Sequence, residues 1–136
     1  MTVSTKKRRP RRKRKSRYHR GLHVSPKAGD CNYRSGWEFS YMKWLDANDD
    51  VLSWSYEKLV IEYVSNIKSK RVRKYYPDFH VKYSDGHVEV VEIKPKRRSE
   101  QSTVLKKASA AIKWCKINGA TYVMVTEVEL KLLKLL

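Results

Sequence analysis

The chain has 136 residues, with 31 Lys and Arg against 14 Asp and Glu, a net charge of +17. That length suits one domain with a modest core. No apolar run is long enough for a membrane span or a secretion signal, and Cys31 and Cys115 supply no disulfide framework, so an intracellular protein with two free thiols is expected.

The basic excess is uneven. Residues 1–27 hold 12 basic residues and no acidic one, and the remainder holds 19 against 14. This divides the chain into a basic arm, residues 1–30, and a mildly basic domain, residues 31–136. The run from Lys6 to Lys15 cannot bury apolar surface and repels itself, so it is expected to be disordered alone or ordered by a partner. Arg8, Arg9, Arg11, Arg12, Lys13, Arg14 and Lys15 suit a polyanion, where neutralising phosphates releases counterions. A solubilising tail or an import signal would look the same. His19, His23 and Cys31 match no standard zinc spacing and lack a fourth ligand.

A helix is expected from about Ser35 to Asn48, with Trp37, Tyr41, Trp44 and Leu45 at helical spacing. Glu38 sits on or beside that stripe. Two roles fit it equally: the partner of Ser35 in a capping box, bonding the Ser35 backbone N–H, or a carboxylate aimed at a site. Val51 to Val64 reads as one or two strands. Leu52, Trp54 and Tyr56 alternate with serines, and Leu59 to Val64 is apolar enough for a central strand. Glu57 and Glu62 are assigned to strand surface, and Asn66 to Lys74 to a basic turn.

Tyr75 to Lys96 reads as a β-hairpin around Ser84-Asp85-Gly86. With a three-residue loop and Gly86 in the left-handed conformation, Tyr83 pairs with His87, Asp78 lies opposite Glu92, and Tyr76 lies opposite Lys94. One face then carries Tyr76, Asp78, His80, Glu92 and Lys94; the other carries Pro77, Phe79, Val81, Val91 and Ile93 and belongs to the core. A two-residue turn would split the carboxylates between faces. Side by side, Asp78 and Glu92 repel, and a divalent cation such as Mg²⁺ removes the conflict with oxygen ligands. Lys94, on the same side, can orient an attacking water or neutralise charge developing on a phosphate.

A second helix follows, capped by Ser99 or Ser102, with Val104, Leu105, Ala108, Ala111, Ile112 and Cys115 as its buried stripe and Asn118-Gly119 as its end. Lys106, Lys107, Lys113 and Lys116 are assigned to its solvated face, with contact to a DNA backbone as the lesser alternative. Thr121 to Thr126 reads as a strand parallel to part of the sheet. Glu127 to Leu136 has a helical pattern of Val128, Leu132, Leu133 and Leu136, packed on the domain or on another copy.

Glu on the first helix, Pro-Asp on one strand, Glu-x-Lys on the next, then a helix and a further strand: this order resembles the PD-(D/E)XK nuclease superfamily. Within it, Tyr33-Arg34-Ser35-Gly36-Trp37-Glu38, Trp54-Ser55, Tyr75-Tyr76-Pro77-Asp78-Phe79 and Glu92-Ile93-Lys94-Pro95-Lys96 together resemble the TnsA-type transposase endonuclease domain, and still more the small head-completion nucleases of T-even-like phages. The likeness covers roughly residues 33–127. It implies an α/β, restriction-endonuclease-like core with a central mixed sheet flanked by helices. It further implies a metal, Mg²⁺ or Mn²⁺, held by Asp78, Glu92 and the Ile93 carbonyl with Glu38 nearby. Catalytic roles then fall to Glu38, Asp78, Glu92 and Lys94, and Lys96 is assigned to phosphate contact. TnsA-type proteins carry a C-terminal partner-binding domain, for which this chain is too short, and this favours the phage reading.

The expected function is a metal-dependent DNA endonuclease of phage head completion. It would act in the host cytoplasm or the virion, with DNA and head or portal-neck proteins as partners. A Holliday-junction resolvase, a transposase-type endonuclease, and a non-catalytic DNA-binding protein of the virion or ribosome are the alternatives. Oligomeric state is not encoded in any pattern found.

Overall fold

The computed structural model describes residues 20–136. Arg8, Arg9, Arg11, Arg12, Lys13, Arg14 and Lys15 lie outside the described residues. Twelve elements follow in order: β1 (Gly21–Ser25), β2 (Gly29–Tyr33), α1 (Gly36–Ala47), β3 (Val51–Tyr56), β4 (Ile61–Asn66), β5 (Arg71–Tyr75), β6 (Phe79–Tyr83), β7 (Val88–Ile93), a 3-10 turn (Lys96–Arg98), α2 (Ser102–Asn118), β8 (Thr121–Val125) and α3 (Glu127–Leu132). The central sheet has the order β3-β6-β7-β8. β3, β6 and β7 pair antiparallel with one another in that order, and β8 runs parallel to β7 after the α2 crossover. This is the mixed sheet flanked by helices that was expected.

The β6–β7 hairpin has the expected register. Phe79 pairs with Val91 and Lys82 with Val88, the Tyr83 N–H donates to the His87 carbonyl at 2.9 Å, and Gly86 has φ +94°. Asp85 fixes the turn by accepting the His87 N–H at 2.9 Å. Extending the ladder brings Asp78 opposite Glu92. On the core face Phe79, Val81 and Val91 are fully buried and pack with Tyr41, Met42 and Leu45 of α1. Burying each such side chain contributes roughly 1.5–3 kcal/mol. The second face is less open than the pattern implied. Val90 is fully buried there, and His80 meets Trp114 of α2 edge-on, with centroids 6.1 Å apart.

Several boundaries differ from the sequence reading. The expected arm boundary at residue 30 falls inside the β1–β2 hairpin, which α1 and β3 anchor. Asp46 accepts from Ser25 Oγ at 2.6 Å and Trp54 Nε1 at 2.9 Å, and meets His23 Nε2 at 2.6 Å. Lys27 Nζ caps the carbonyls of Leu45 and Asn48. In β3 a register shift between Val51 and Ser53 turns Leu52 outward, so Val51, Trp54 and Tyr56 are the residues that enter the core. Residues 61–66 are not a central strand. They pair with 71–75, which is a strand rather than a turn, as a separate two-stranded ribbon. Its base packs on α2 through Ile61, Tyr75 and Ala111.

On α2 the inward stripe is Val104, Ala111 and Cys115, while Leu105 and Ile112 are half exposed. The helix is rotated because Trp114 packs inward with the ribbon base. It starts after Gln101 with no side-chain cap, so neither Ser99 nor Ser102 caps it, and it ends on Gly119 at φ +67°. The last helix is shorter than expected. A Thr126–Glu129 capping box starts it, and Leu130, absent from the expected stripe, is the residue that enters the core. Leu132 and Leu136 are exposed and Leu133 packs partly on the core. Among the described residues no helix is long and apolar enough to cross a membrane.

Candidate active site

The N-terminus of α1, the end of β3, the start of β6 and the end of β7 meet around one cleft. It is lined by Glu38, Glu57, Asp78, Glu92, Ile93 and Glu127, with Arg34, Lys94, Arg97 and Arg98 as its cations. Five carboxylates around one partly buried place repel unless something of opposite charge shares them.

Each acid is held by one oxygen. Glu38 Oε1 accepts the Tyr56 hydroxyl at 2.9 Å and the Arg34 N–H at 2.9 Å. The Ser35 side chain caps the Glu38 N–H at 3.1 Å, but the return bond of a capping box reaches Arg34 and not Ser35. Glu38 thus serves the helix start and is still directed into the cleft. Asp78 Oδ2 accepts the Ile93 N–H at 2.8 Å. Glu92 Oε2 accepts the Tyr75 hydroxyl at 2.7 Å and the Asp78 N–H at 3.3 Å, and its Oε1 lies 3.8 Å from Lys94 Nζ. Glu57 Oε2 lies 3.2 Å from Arg34. No described residue donates a hydrogen bond to Glu38 Oε2 or Asp78 Oδ1.

Burial, then the charges of Glu92 and Glu38, push the Asp78 carboxyl well above its usual range. Burial also raises Glu92, against the pull of the Tyr75 hydroxyl and Lys94. Glu57 is raised by burial as well, partly offset by Arg34. These are the shifts expected of acids that share a space suited to a cation.

The cleft brings together Glu38, Asp78, Glu92, Ile93 and Lys94, all expected from sequence, but the tightest group differs from the expected one. Glu38, Glu57 and Asp78 each offer an oxygen within 4.8 Å of the others, and Glu92 stands beside them on the Tyr75 side. Glu57, read from sequence as strand surface, is the addition. Its backbone is left-handed at φ +51°, which turns it in at the end of β3, where its N–H donates to the Asp78 carbonyl at 3.0 Å. No sequence pattern marks that turn. Lys96 does not line the cleft. Its N–H is bonded to Glu127 at 2.8 Å, and Arg97 and Arg98 take the rim position expected of it.

A family model described as the TnsA-like endonuclease N-terminal domain matches residues 48–127. Over 80 residues the chain is 38% identical to the head completion nuclease of Enterobacteria phage T4, covering 57% of this chain and 53% of that protein. The chain therefore spans about half the length of the curated relative it matches. With the mixed sheet and the acids at the strand ends, the match over more than half its length shows that the chain belongs to the family of TnsA-like endonuclease N-terminal domains.

Proposed function

We propose that this protein is a divalent-metal-dependent endonuclease that hydrolyses phosphodiester bonds of DNA during completion of a phage head. The observation that carries the reading is the one-sided anchoring of the acids. Protein donors fix one oxygen of Glu38, Asp78 and Glu92, and among the described residues this leaves Glu38 Oε2 and Asp78 Oδ1 without a donor and Glu92 Oε1 facing Lys94. An all-oxygen donor set of this kind fits Mg²⁺ or Mn²⁺. Asp78, Glu38, Glu92 and the Ile93 carbonyl would hold the ion, with Glu57 as a further ligand. Mg²⁺ there supplies Lewis-acid stabilisation of phosphate charge and a more acidic water.

The chain's own residues supply the rest. Lys94 places an ammonium beside Glu92, where negative charge develops on the phosphate. Tyr75 fixes the Glu92 rotamer. Arg97 and Arg98 offer phosphate contacts at the rim, and the basic residues Arg8 to Lys15 add sequence-independent affinity. The nuclease unit takes in the β1–β2 hairpin, so the arm ends before Gly21. By analogy with the named relative, the partners are DNA and proteins of the phage head or neck, met in the host cytoplasm during assembly.

Supercoiled plasmid incubated with wild-type and Asp78→Ala protein, with Mg²⁺ and with chelator, tests the reading. Nicking only by wild type with Mg²⁺ is expected. Cleavage by Asp78→Ala, or in chelator, overturns it.

A further inference from the structure

The β4–β5 ribbon leaves the sheet after Glu57 and returns just before Asp78, two acids of the same cluster. The Glu57 N–H to Asp78 carbonyl bond closes its root, and Tyr75 at the end of β5 bonds Glu92. The ribbon therefore springs from the cleft itself. Beyond its base, where Ile61 and Tyr75 are buried, it projects Lys68, Lys70, Arg71, Arg73 and Lys74, all exposed, with Glu62 as its sole acid. The adjoining α2 adds Lys106, Lys107, Lys113 and Lys116 and no acid. Lys106 Nζ bonds the Ser65 carbonyl of the ribbon at 2.9 Å, and Lys107 lies 5.6 Å over the Tyr75 ring. Among the described residues no ion pair involves any of these nine cations.

A solvated face would account for scattered lysines. It does not account for nine cations against one acid, unpaired, on two elements locked together at the root of the site. Nor does it account for Val64, Ile67 and Val72, exposed among them at 50%, 86% and 57%. Interleaved cations and small apolar groups suit a duplex groove, where Lys and Arg meet phosphates and β-branched side chains meet base edges. A two-stranded ribbon fits the major groove, and five or six residues per strand reach about 17–20 Å, about half a helical turn.

We infer that the β4–β5 ribbon, backed by α2, is a DNA-gripping finger that seats the duplex beside the carboxylate cluster. Its place next to the cut rests on the nuclease reading; its affinity for DNA does not. A protein partner of the head is disfavoured because seven of the nine cations are Lys, a residue depleted at protein–protein interfaces.

The test uses the full chain, with duplex affinity measured in chelator and plasmid nicking in Mg²⁺. One variant is Lys70→Gln/Arg71→Gln/Arg73→Gln/Lys74→Gln. A smaller one, Lys70→Gln/Arg71→Gln, alters only the outer ribbon, away from the buried base. A charge-matched control, Lys43→Gln/Lys82→Gln/Lys131→Gln/Lys134→Gln, removes as many charges elsewhere. The four-residue ribbon variant is expected to bind duplex at least about tenfold more weakly, with its log–log salt slope flattened by about 0.9 for each phosphate it no longer neutralises. The smaller variant follows in the same direction, and the control stays near wild type. Equal losses in ribbon variants and control, or no loss in the ribbon variants, overturn the inference, including the case where they lose only a protein partner. If wild type fails to nick while the ribbon variants still lose affinity, the nuclease reading fails and the finger stands.

Discussion

Asp78 and Glu92 hold each other through the backbone: Glu92 Oε2 accepts the Asp78 N–H at 3.3 Å, and Asp78 Oδ2 accepts the N–H of Ile93, the residue after Glu92, at 2.8 Å. The pair is thus fixed before any cation arrives, and its mutual repulsion belongs to the folded state.

That repulsion gives a pH signature. Burial raises both carboxyls above their unfolded values of 3.8 and 4.5. Folding therefore takes up protons between the unfolded and folded values, and the stability gained at the acid end is lost as pH rises through the folded pKa. Without metal, the protein should melt higher in mild acid, just above the unfolded carboxyl range, than at higher pH where both folded carboxyls are ionised. Mg²⁺ replaces the proton and should shrink the difference, and Asp78→Asn should flatten it. Melting curves in chelator that are level or rise with pH would count against a shared, repelling pair.

Lys94 separates chemistry from stability. Its ion pair with Glu92 is 3.8 Å long and partly exposed, a kind worth under about 1 kcal/mol. Lys94→Ala should barely change the melting temperature or duplex affinity. Cleavage should fall by about 10²–10³ if the ammonium meets charge in the transition state. A loss of affinity equal to the loss of rate would make Lys94 a binding residue only.

The hairpin was legible because Ser84-Asp85-Gly86 fixes the loop and the loop fixes the register, which aligns Asp78 with Glu92. Glu38 was legible as an acid at the helix start, though not which of two roles it fits; its side chain takes the Arg34 N–H in place of the Ser35 N–H, and it lines the cleft. Glu57 was not legible. Its inward turn depends on a left-handed residue and on the whole ribbon excursion closing back at Asp78. The β1–β2 hairpin was missed for a related reason. Ser25 and Cys31 are its only buried residues, and its hold on the domain comes from Asp46 and from the Leu45 and Asn48 carbonyls that accept from Lys27, a dozen or more residues beyond it. The phase of α2 was set by the ribbon against Trp114, a long-range contact that leaves no trace in local periodicity.

Asp46 is accordingly a test of the fold apart from the site. Its carboxyl is held below the usual range. Burial raises it, but the hydrogen bonds from Ser25, His23 and Trp54 together outweigh that. Asp46→Ala leaves the Trp54 Nε1–H and the Ser25 O–H without an acceptor, at a cost of about 2–3 kcal/mol. Because the folded carboxyl is the stronger acid, the part of this contribution that depends on its charge is present above about pH 4 and lost as pH falls below it. Denaturant titration of the variant should show the deficit at neutral pH and a smaller one in acid. An unchanged midpoint would mean that α1 holds the hairpin without Asp46.

Glu57 offers the sharpest separation of strain from function. A non-glycine residue at φ +51° costs about 1 kcal/mol relative to glycine, and its carboxylate adds to the repulsion in the cleft. Glu57→Gly should therefore raise the metal-free melting temperature while slowing cleavage. Glu57→Gln keeps the side-chain length and the backbone strain but removes the anionic oxygen. It should raise the Mg²⁺ concentration for half-maximal cleavage about tenfold or more, the range seen when a group supporting a metal site is lost, with a smaller effect on duplex affinity in chelator. Cleavage by Glu57→Gln at the wild-type rate and Mg²⁺ requirement would return Glu57 to a structural role, as the partner of Arg34 at the mouth of the cleft.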